Sequence, residues 1–208
     1  TVITLLAVCD GLGEEGYIKG MVDFLKKAGQ SCWQLLPLNP MGYGNSPYQP
    51  FSSFAGDELY IDLDLLEAEG LLTGEREVYM PGRQGRIDFQ KVRAYKETYL
   101  RQAYRKFREC RWEKADFITF RNQDWVYPYA VYMALKKKNG LRCWNQWPKE
   151  QQDWILDGKY DLSPLEEEIG YQLFLQYTFY RQWMALKAYA NESGVKIIGD
   201  VPIYVPLD

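Results

Sequence analysis

The 208-residue sequence contains no histidine, and this absence excludes several classes of enzyme site within the chain. A Ser-His-Asp triad, a Cys-His nucleophile pair and an H-E-x-x-H zinc motif all require histidine. Any chemistry that these residues perform must therefore use carboxylates, tyrosine, lysine or cysteine.

Cysteines are few, and their spacing disfavours a metal site. The four cysteines, Cys9, Cys32, Cys110 and Cys143, form no C-x-x-C pair, whereas zinc sites usually contain such pairs. No signal-peptide pattern precedes them. We therefore expect reduced, mostly buried thiols in a cytoplasmic protein.

Long apolar runs and an excess of basic residues are also missing. The longest apolar runs are only a few residues, whereas a membrane span needs about 20. The 25 Lys and Arg residues against 28 Asp and Glu residues give a net charge of −3, so there is no basic footprint for nucleic acid. The sequence predicts a soluble protein that binds neither nucleic acid nor membrane.

Aromatic residues, by contrast, are abundant, at 16% of the chain. A chain so rich in Trp, Tyr and Phe either packs a bulky core or offers flat faces to a ligand.

The first part of the chain has the pattern of a strand, a helix and a second strand. Residues 2–8 are a short apolar run typical of a buried strand. An amphipathic helical stretch follows and ends at Gly29, and residues 33–36 form a second apolar run. This order predicts a βαβ unit with parallel strands and therefore an α/β fold.

Residues 37–56 follow the second strand and show no periodicity. They hold four prolines, three glycines and four aromatic residues. Long irregular loops at the carboxyl end of a parallel strand are commonly functional. Tyr43 and Tyr48 stand here beside polar residues such as Ser46, which favours a carbohydrate platform, with burial of the rings as the equal alternative.

Helical patterns dominate the rest of the chain. Residues 59–63 predict a short strand, with Asp62 as a cap or turn former, and helices are expected over residues 63–69, 90–109, 113–121, 125–138 and 165–191.

Residues 195–201 predict a third buried strand that carries one acidic residue, Asp200. That carboxylate either pairs with a neighbouring Arg or faces a ligand at the carboxyl end of the strand. A sheet of three strands would leave apolar surface uncovered, so we expect either a second chain that completes it or a fragment of a longer sequence.

Five segments resemble one known family in the same order along the chain. They are AGQSCWQLLPLNPMGYGNSPYQPFSSFAG at 28–56, YIDL at 60–63, WNQWP at 144–148, FYRQW at 179–183 and IIGDVPIYV at 197–205. These segments are similar to signatures of the 4-α-glucanotransferases of glycoside hydrolase family 77, also called amylomaltases. The resemblance covers nearly the whole chain.

The resemblance implies the N-terminal part of a (β/α)8 barrel, with about three barrel strands and a helical insertion subdomain. It assigns residues 1–89 to the first βαβ unit with its glucan-binding loop. Residues 90–161 become the helical insertion, and residues 162–208 hold a barrel helix and the third strand.

The resemblance also implies a glucan site. Tyr43, Ser46 and Tyr48 match the family's glucan-contacting loop, and Asp200 matches the acidic residue that ends the third strand. The implied reaction moves α-1,4-glucan segments between maltooligosaccharides by retaining double displacement, without metal or organic cofactor. The family's nucleophilic Asp and acid/base Glu fall beyond Asp208, so this chain alone is expected to be inactive.

Two features depart from the family pattern. Residues 9–13 resemble a shortened first loop without the family's histidine, and Asn45 stands where Asp is usual. Two alternatives stay open beside the transferase: a non-catalytic glucan-binding module, and a structural half that pairs with a separate C-terminal chain.

Overall fold

The computed structural model describes residues 17–42, 46–76 and 88–203, in which helices surround a small parallel sheet. The predicted strand over residues 2–8 lies outside these ranges. The helices are α1 Tyr17–Lys27, α2 Leu63–Ala68, α3 Phe89–Arg111, α4 Ala115–Arg121, α5 Val126–Lys138, α6 Lys149–Gln152, α7 Trp154–Asp157 and α8 Glu166–Glu192. The strands are β1 Cys32–Gln34 and β2 Lys196–Ile198, and short 3-10 helices span Glu58–Tyr60, Trp144–Gln146 and Ser163–Leu165.

The second and third predicted strands pair in parallel, as expected of a parallel sheet. Trp33 lies opposite Ile197, and the backbone N–H of Leu35 donates to the carbonyl of Ile198 at 3.0 Å. Helix α8 precedes β2 directly and contacts it, as expected of the crossover helix between parallel strands. Helix α1 ends as predicted, with Gly29 in the left-handed region at φ 68°.

The predicted strand over residues 59–63 is wrong. The segment forms the 3-10 helix Glu58–Tyr60 and then the N-terminal cap of α2, where the Asp62 carboxylate accepts from the N–H groups of Asp64 and Leu65. The backbone carbonyls of Leu59 and Ile61 accept from the buried Lys96 ammonium group, at 2.6 and 2.8 Å. A side chain thus takes the place that a neighbouring strand would occupy.

Two burial predictions are also wrong. In β2 the side chain of Ile198 is 50% exposed, because β1 covers one edge and no described element covers that side chain. Among the described cysteines, Cys32 and Cys110 are exposed and Cys143 is half-buried. Cys32 precedes the buried Trp33 on β1, and alternate strand residues point to opposite faces.

Helix α8 lies at the centre of the described structure. Its residues from Ile169 to Phe179 are all buried, because α3, α4 and α5 pack against it. A helix covered on several sides needs apolar residues around its whole circumference. Part of the aromatic excess packs here, in a cluster of tilted and edge-to-face rings formed by Tyr104, Phe107, Trp112, Phe117, Phe120, Phe174 and Tyr177.

Although α8 has 27 residues, no helix in residues 17–42, 46–76 or 88–203 combines the length and the apolar character that a bilayer crossing requires.

The contact between Gly56 and α8 gives a stability prediction. A Cβ on Gly56 would lie 2.1 Å from the Phe179 ring, whereas a Cβ on Gly20 in α1 would meet nothing within 4 Å. We expect Gly56→Ala to lower the free energy of unfolding by about 1–3 kcal/mol through overpacking. The control Gly20→Ala should raise it by roughly 0.5–1 kcal/mol, because Ala favours an exposed helix. Urea denaturation measures both, and equal effects would contradict the packing.

Candidate functional site

A cleft opens beside the carboxyl ends of β1 and β2. Its volume is about 370 Å³, within the usual size range of small-molecule sites. The walls come from residues 35–39 after β1, residues 54–56 of the following loop, α8, and the exit of β2. Its aromatic and polar lining residues are Asn39, Phe54, Gln123, Trp125, Gln176, Phe179, Tyr180, Trp183 and Asp200. We call this space the strand-end cleft.

After β1, residues 40–42 pair with residues 49–51 as the two arms of a hairpin, with an antiparallel bridge between Met41 and Pro50. The N–H of Phe51 donates to the Pro40 carbonyl at 3.1 Å, and the N–H of Gly42 donates to the Gln49 carbonyl at 3.1 Å. Prolines at positions 40, 47 and 50 restrict the backbone dihedrals of this hairpin. The result is an irregular but fixed support for Tyr48.

The hydroxyl group of Tyr48 contacts Asp200, which lines the strand-end cleft. The Tyr48 Oη donates to Asp200 Oδ2 at 3.0 Å, and the two residues are 152 positions apart in the sequence. Asp200 also accepts from the N–H of Val201 at 2.8 Å, which fixes its carboxylate. The hydrogen bond from Tyr48 to Asp200 raises the pKa of the phenol above its ordinary 10.0, with smaller effects from desolvation and from the carboxylate charge.

The predicted site residues have different outcomes. Tyr48 and Asp200 are brought together, and Asp200 is paired with this tyrosine; no ion pair to Arg is found for it within the described residues. Ser46 shapes the hairpin, since its hydroxyl oxygen accepts from the N–H of Tyr48 at 3.4 Å. Tyr43 lies outside the described residues.

The buried carboxylate of Asp57 holds the first arm of the hairpin through the backbone N–H of Met41. Asp57 is 0% exposed, and its carboxylate accepts from the N–H of Met41 at 3.0 Å and from Arg93 at 2.8 Å. Arg93 also pairs with Glu58. Burial opposes the charge of Arg93, but Glu58 and Asp57 outweigh it and raise the pKa of the guanidinium group. The hairpin is therefore tied to α3 by a charged side chain.

Comparison with known proteins identifies the family of this chain. The family model for 4-alpha-glucanotransferase, glycoside hydrolase family 77, matches residues 4–208. The chain belongs to this family. The resemblance seen in the sequence motifs is thereby confirmed.

Relatives in the 4-alpha-glucanotransferase family are substantially longer. The 4-alpha-glucanotransferase of Thermus thermophilus is 42% identical over 206 residues, which are 95% of this chain and 39% of the relative. That of Clostridium butyricum is 40% identical, over 89% of this chain and 39% of the relative. The chain thus spans about two fifths of the length of the curated relatives it matches.

A solved family member shares the architecture. The amylomaltase from Streptococcus agalactiae, solved in complex with acarbose, superposes with a TM-score of 0.83 at 31% identity. The match covers 98% of this chain and 43% of that chain.

Several residues that position the hairpin and the strand-end cleft were not predicted from the sequence. Gln176 and Gln182 are buried amides of α8 that bind the backbone near the hairpin, and Asp57 and Lys96 bind it from the other side. A signal for the glutamines was present. Each stands in an apolar or aromatic stretch of α8, LFLQYTF and FYRQW, where a buried amide requires partners.

The acidic residues do not form a metal centre in the described ranges. No group of three or more Cys, Asp or Glu side chains is placed there to hold an ion. Among the described residues that line the strand-end cleft, Asp200 alone carries a carboxylate. Its geometry suits hydrogen bonding to a hydroxyl group, as it already does with Tyr48.

The Tyr48–Asp200 contact predicts a titration. Replacing Asp200 by Asn removes the charged acceptor, so the pKa of Tyr48 should fall toward its ordinary 10.0. Because the raised pKa favours the neutral phenol in the folded state, the contact stabilises the fold below pH 10.0 and is lost as the pH rises through the folded pKa.

The measurement is a pH titration by NMR with tyrosine labelled at Cζ, in which Tyr48→Phe identifies the signal. An unchanged Tyr48 pKa in Asp200→Asn would contradict the hydrogen bond.

Proposed function

We propose that this chain is the N-terminal portion of a 4-α-glucanotransferase and holds part of the glucan cradle. The observation that carries the proposal is the contact of Tyr48 with Asp200 at the edge of the strand-end cleft. In the proposed role the Tyr48 ring stacks on the C–H face of a glucose unit, while Asp200 accepts from a sugar hydroxyl.

The character of the strand-end cleft supports this role. Phe54 and Trp125 stack with ring centroids 6.1 Å apart, and Phe54 is 73% exposed. Exposed aromatic faces beside amide and carboxylate groups are the surroundings that sugar rings require. The family match and the relationship to an amylomaltase solved in complex with acarbose favour an α-glucan.

The proposed reaction divides binding from bond cleavage. Retaining transfer uses two carboxyl groups about 5–5.5 Å apart: one forms the glycosyl-enzyme, and the other protonates the leaving sugar and then activates the acceptor. The described cleft supplies a single carboxylate, Asp200. We therefore assign Tyr43, Ser46, Tyr48 and Asp200 to glucan binding, and we place both catalytic carboxylates in sequence that follows Asp208 in a full-length protein.

The remaining parts of the proposal concern architecture and context. Residues 1–89 and 162–208 would contribute about three strands to a (β/α)8 barrel, and residues 90–161 would be the helical insertion. The C-terminal part of the barrel is the proposed partner. The full protein would act on maltooligosaccharides in the cytoplasm without a metal or organic cofactor.

A fusion protein tests whether this chain supplies glucan binding while the catalytic carboxylates come from the following sequence. We expect the chain alone to release no glucose from maltotriose, because one carboxylate cannot complete double displacement. Joined to the part of the Thermus thermophilus relative that lies beyond the match, it should transfer glucan units. Turnover by the pure chain would show that the catalytic groups are misplaced here. Glucan binding without turnover by the fusion would favour the non-catalytic module.

The Tyr48 platform gives a second test in the same fusion. Tyr48→Ala removes the ring and should weaken glucan binding by about 1–2 kcal/mol, a rise in KM of roughly 5–30-fold. Tyr48→Phe keeps the stacking face and loses only the hydroxyl group, so its KM should rise less. Steady-state kinetics with maltotriose measure both, and equal KM values for all three proteins would refute the platform.

A further inference from the structure

Two glutamines of α8 bind the backbone of the loop region in the same way. The Gln176 amide accepts from the N–H of Gly56 and donates to its carbonyl, both at 2.9 Å. The Gln182 amide accepts from the N–H of Asp62 at 2.7 Å and donates to its carbonyl at 3.0 Å. Both side chains are buried, at 2% and 4% exposure. Each amide therefore pairs with one residue as a neighbouring strand would.

Gly56 is the point at which the hairpin meets α8. Phe179 packs so closely on Gly56 that no side chain fits there. The neighbouring residues hold the start of the hairpin, because Ala55 accepts from the Asn39 amide at 2.9 Å and Asp57 accepts from the N–H of Met41 at 3.0 Å. A shift of Gly56 along α8 would therefore move the support of Tyr48.

Asp200 lies on the chain that continues from the C-terminal end of α8. The chain leaves α8 through a tight turn in which the N–H of Val195 donates to the Ala190 carbonyl at 2.9 Å, and it enters β2 at once. Asp200 follows β2, and β2 contacts α8 on one side and pairs with β1 on the other. Gln176 thus links α8, against which β2 packs before Asp200, to the segment that holds Tyr48.

The other side chains that bind this region of the backbone connect it to different elements or begin at a later residue. Arg93 and Lys96 attach the residues after Gly56 to α3, and α3 carries neither Tyr48 nor Asp200. Gln182 attaches Asp62, which begins α2 and lies beyond the segment that holds the hairpin.

We propose that Gln176 is a positioning residue that fixes the Tyr48 hydroxyl against Asp200 by holding Gly56 on α8. The proposal rests on the proposed function only for the use of this contact, glucan binding. The positioning itself is tested without a sugar, so the two proposals fail separately.

The experiment compares two matched variants of the 208-residue chain. Gln176→Met and Gln182→Met each replace a buried amide by an apolar side chain of similar length and remove two bonds to one residue. The readout is the pKa of Tyr48, followed by NMR at a labelled Cζ, with Asp200→Asn as the reference for a lost contact. A general loss of stability would affect both variants alike.

We expect the Tyr48 pKa in Gln176→Met to fall to the value found in Asp200→Asn. In Gln182→Met it should stay at the wild-type value, above 10.0. An unchanged Tyr48 pKa in Gln176→Met would overturn the proposal, and so would an equal fall in both variants.

A second variant covers failure of Gln176→Met to fold, judged by circular dichroism. Gln176→Glu keeps the length of the side chain, and its carboxylate, ionised at alkaline pH, cannot donate to the Gly56 carbonyl. It should lower the Tyr48 pKa in the same way, and a wild-type pKa in this variant would equally overturn the proposal.

Discussion

The described structure depends on how the backbone between Gly56 and Asp62 satisfies its polar groups. This segment is largely buried, and a buried N–H or carbonyl without a partner costs about 1–3 kcal/mol. No strand lies beside it within the described residues. Side chains from two helices take that place: Gln176 and Gln182 from α8, and Lys96 from α3. The loop and both helices are therefore positioned by the same bonds.

Burying charge is the cost of this arrangement, and the structure offsets it by pairing. Asp57 has no exposed surface, but its carboxylate accepts from two backbone N–H groups and from the Arg93 guanidinium group. Removing one partner of such a pair is strongly destabilising, whereas the intact pair adds little net stability. The gain is therefore in geometry: a fixed carboxylate holds the N–H of Met41 and with it the direction of the hairpin.

Much of the helical framework could be predicted from the sequence, because its signals are local. The expected helices over residues 90–109 and 165–191 agree with α3 and α8 to within a few residues, and Gly29 ends α1 as predicted. Residues 59–63 could not be assigned correctly, since their partners lie 35–37 and 120 positions away. Tyr48 and Asp200 were predicted as site residues because each lies at or after the end of a predicted strand. Their contact could not be predicted, because it depends on how the hairpin folds back and no local pattern encodes that.

The position of Asp200 also constrains what it can do. A carboxylate that accepts from a phenol and from a backbone N–H is held in one orientation and has part of its lone-pair capacity already used. A nucleophile in a retaining mechanism must instead present a free oxygen to the anomeric carbon, with a second carboxyl group across the bond. Each Asp200 oxygen already accepts one hydrogen bond, and no second carboxylate lines the cleft among the described residues. The bond to Tyr48 holds Asp200 in an orientation suited to accepting from a hydroxyl group, which supports the proposed role of Asp200 in binding.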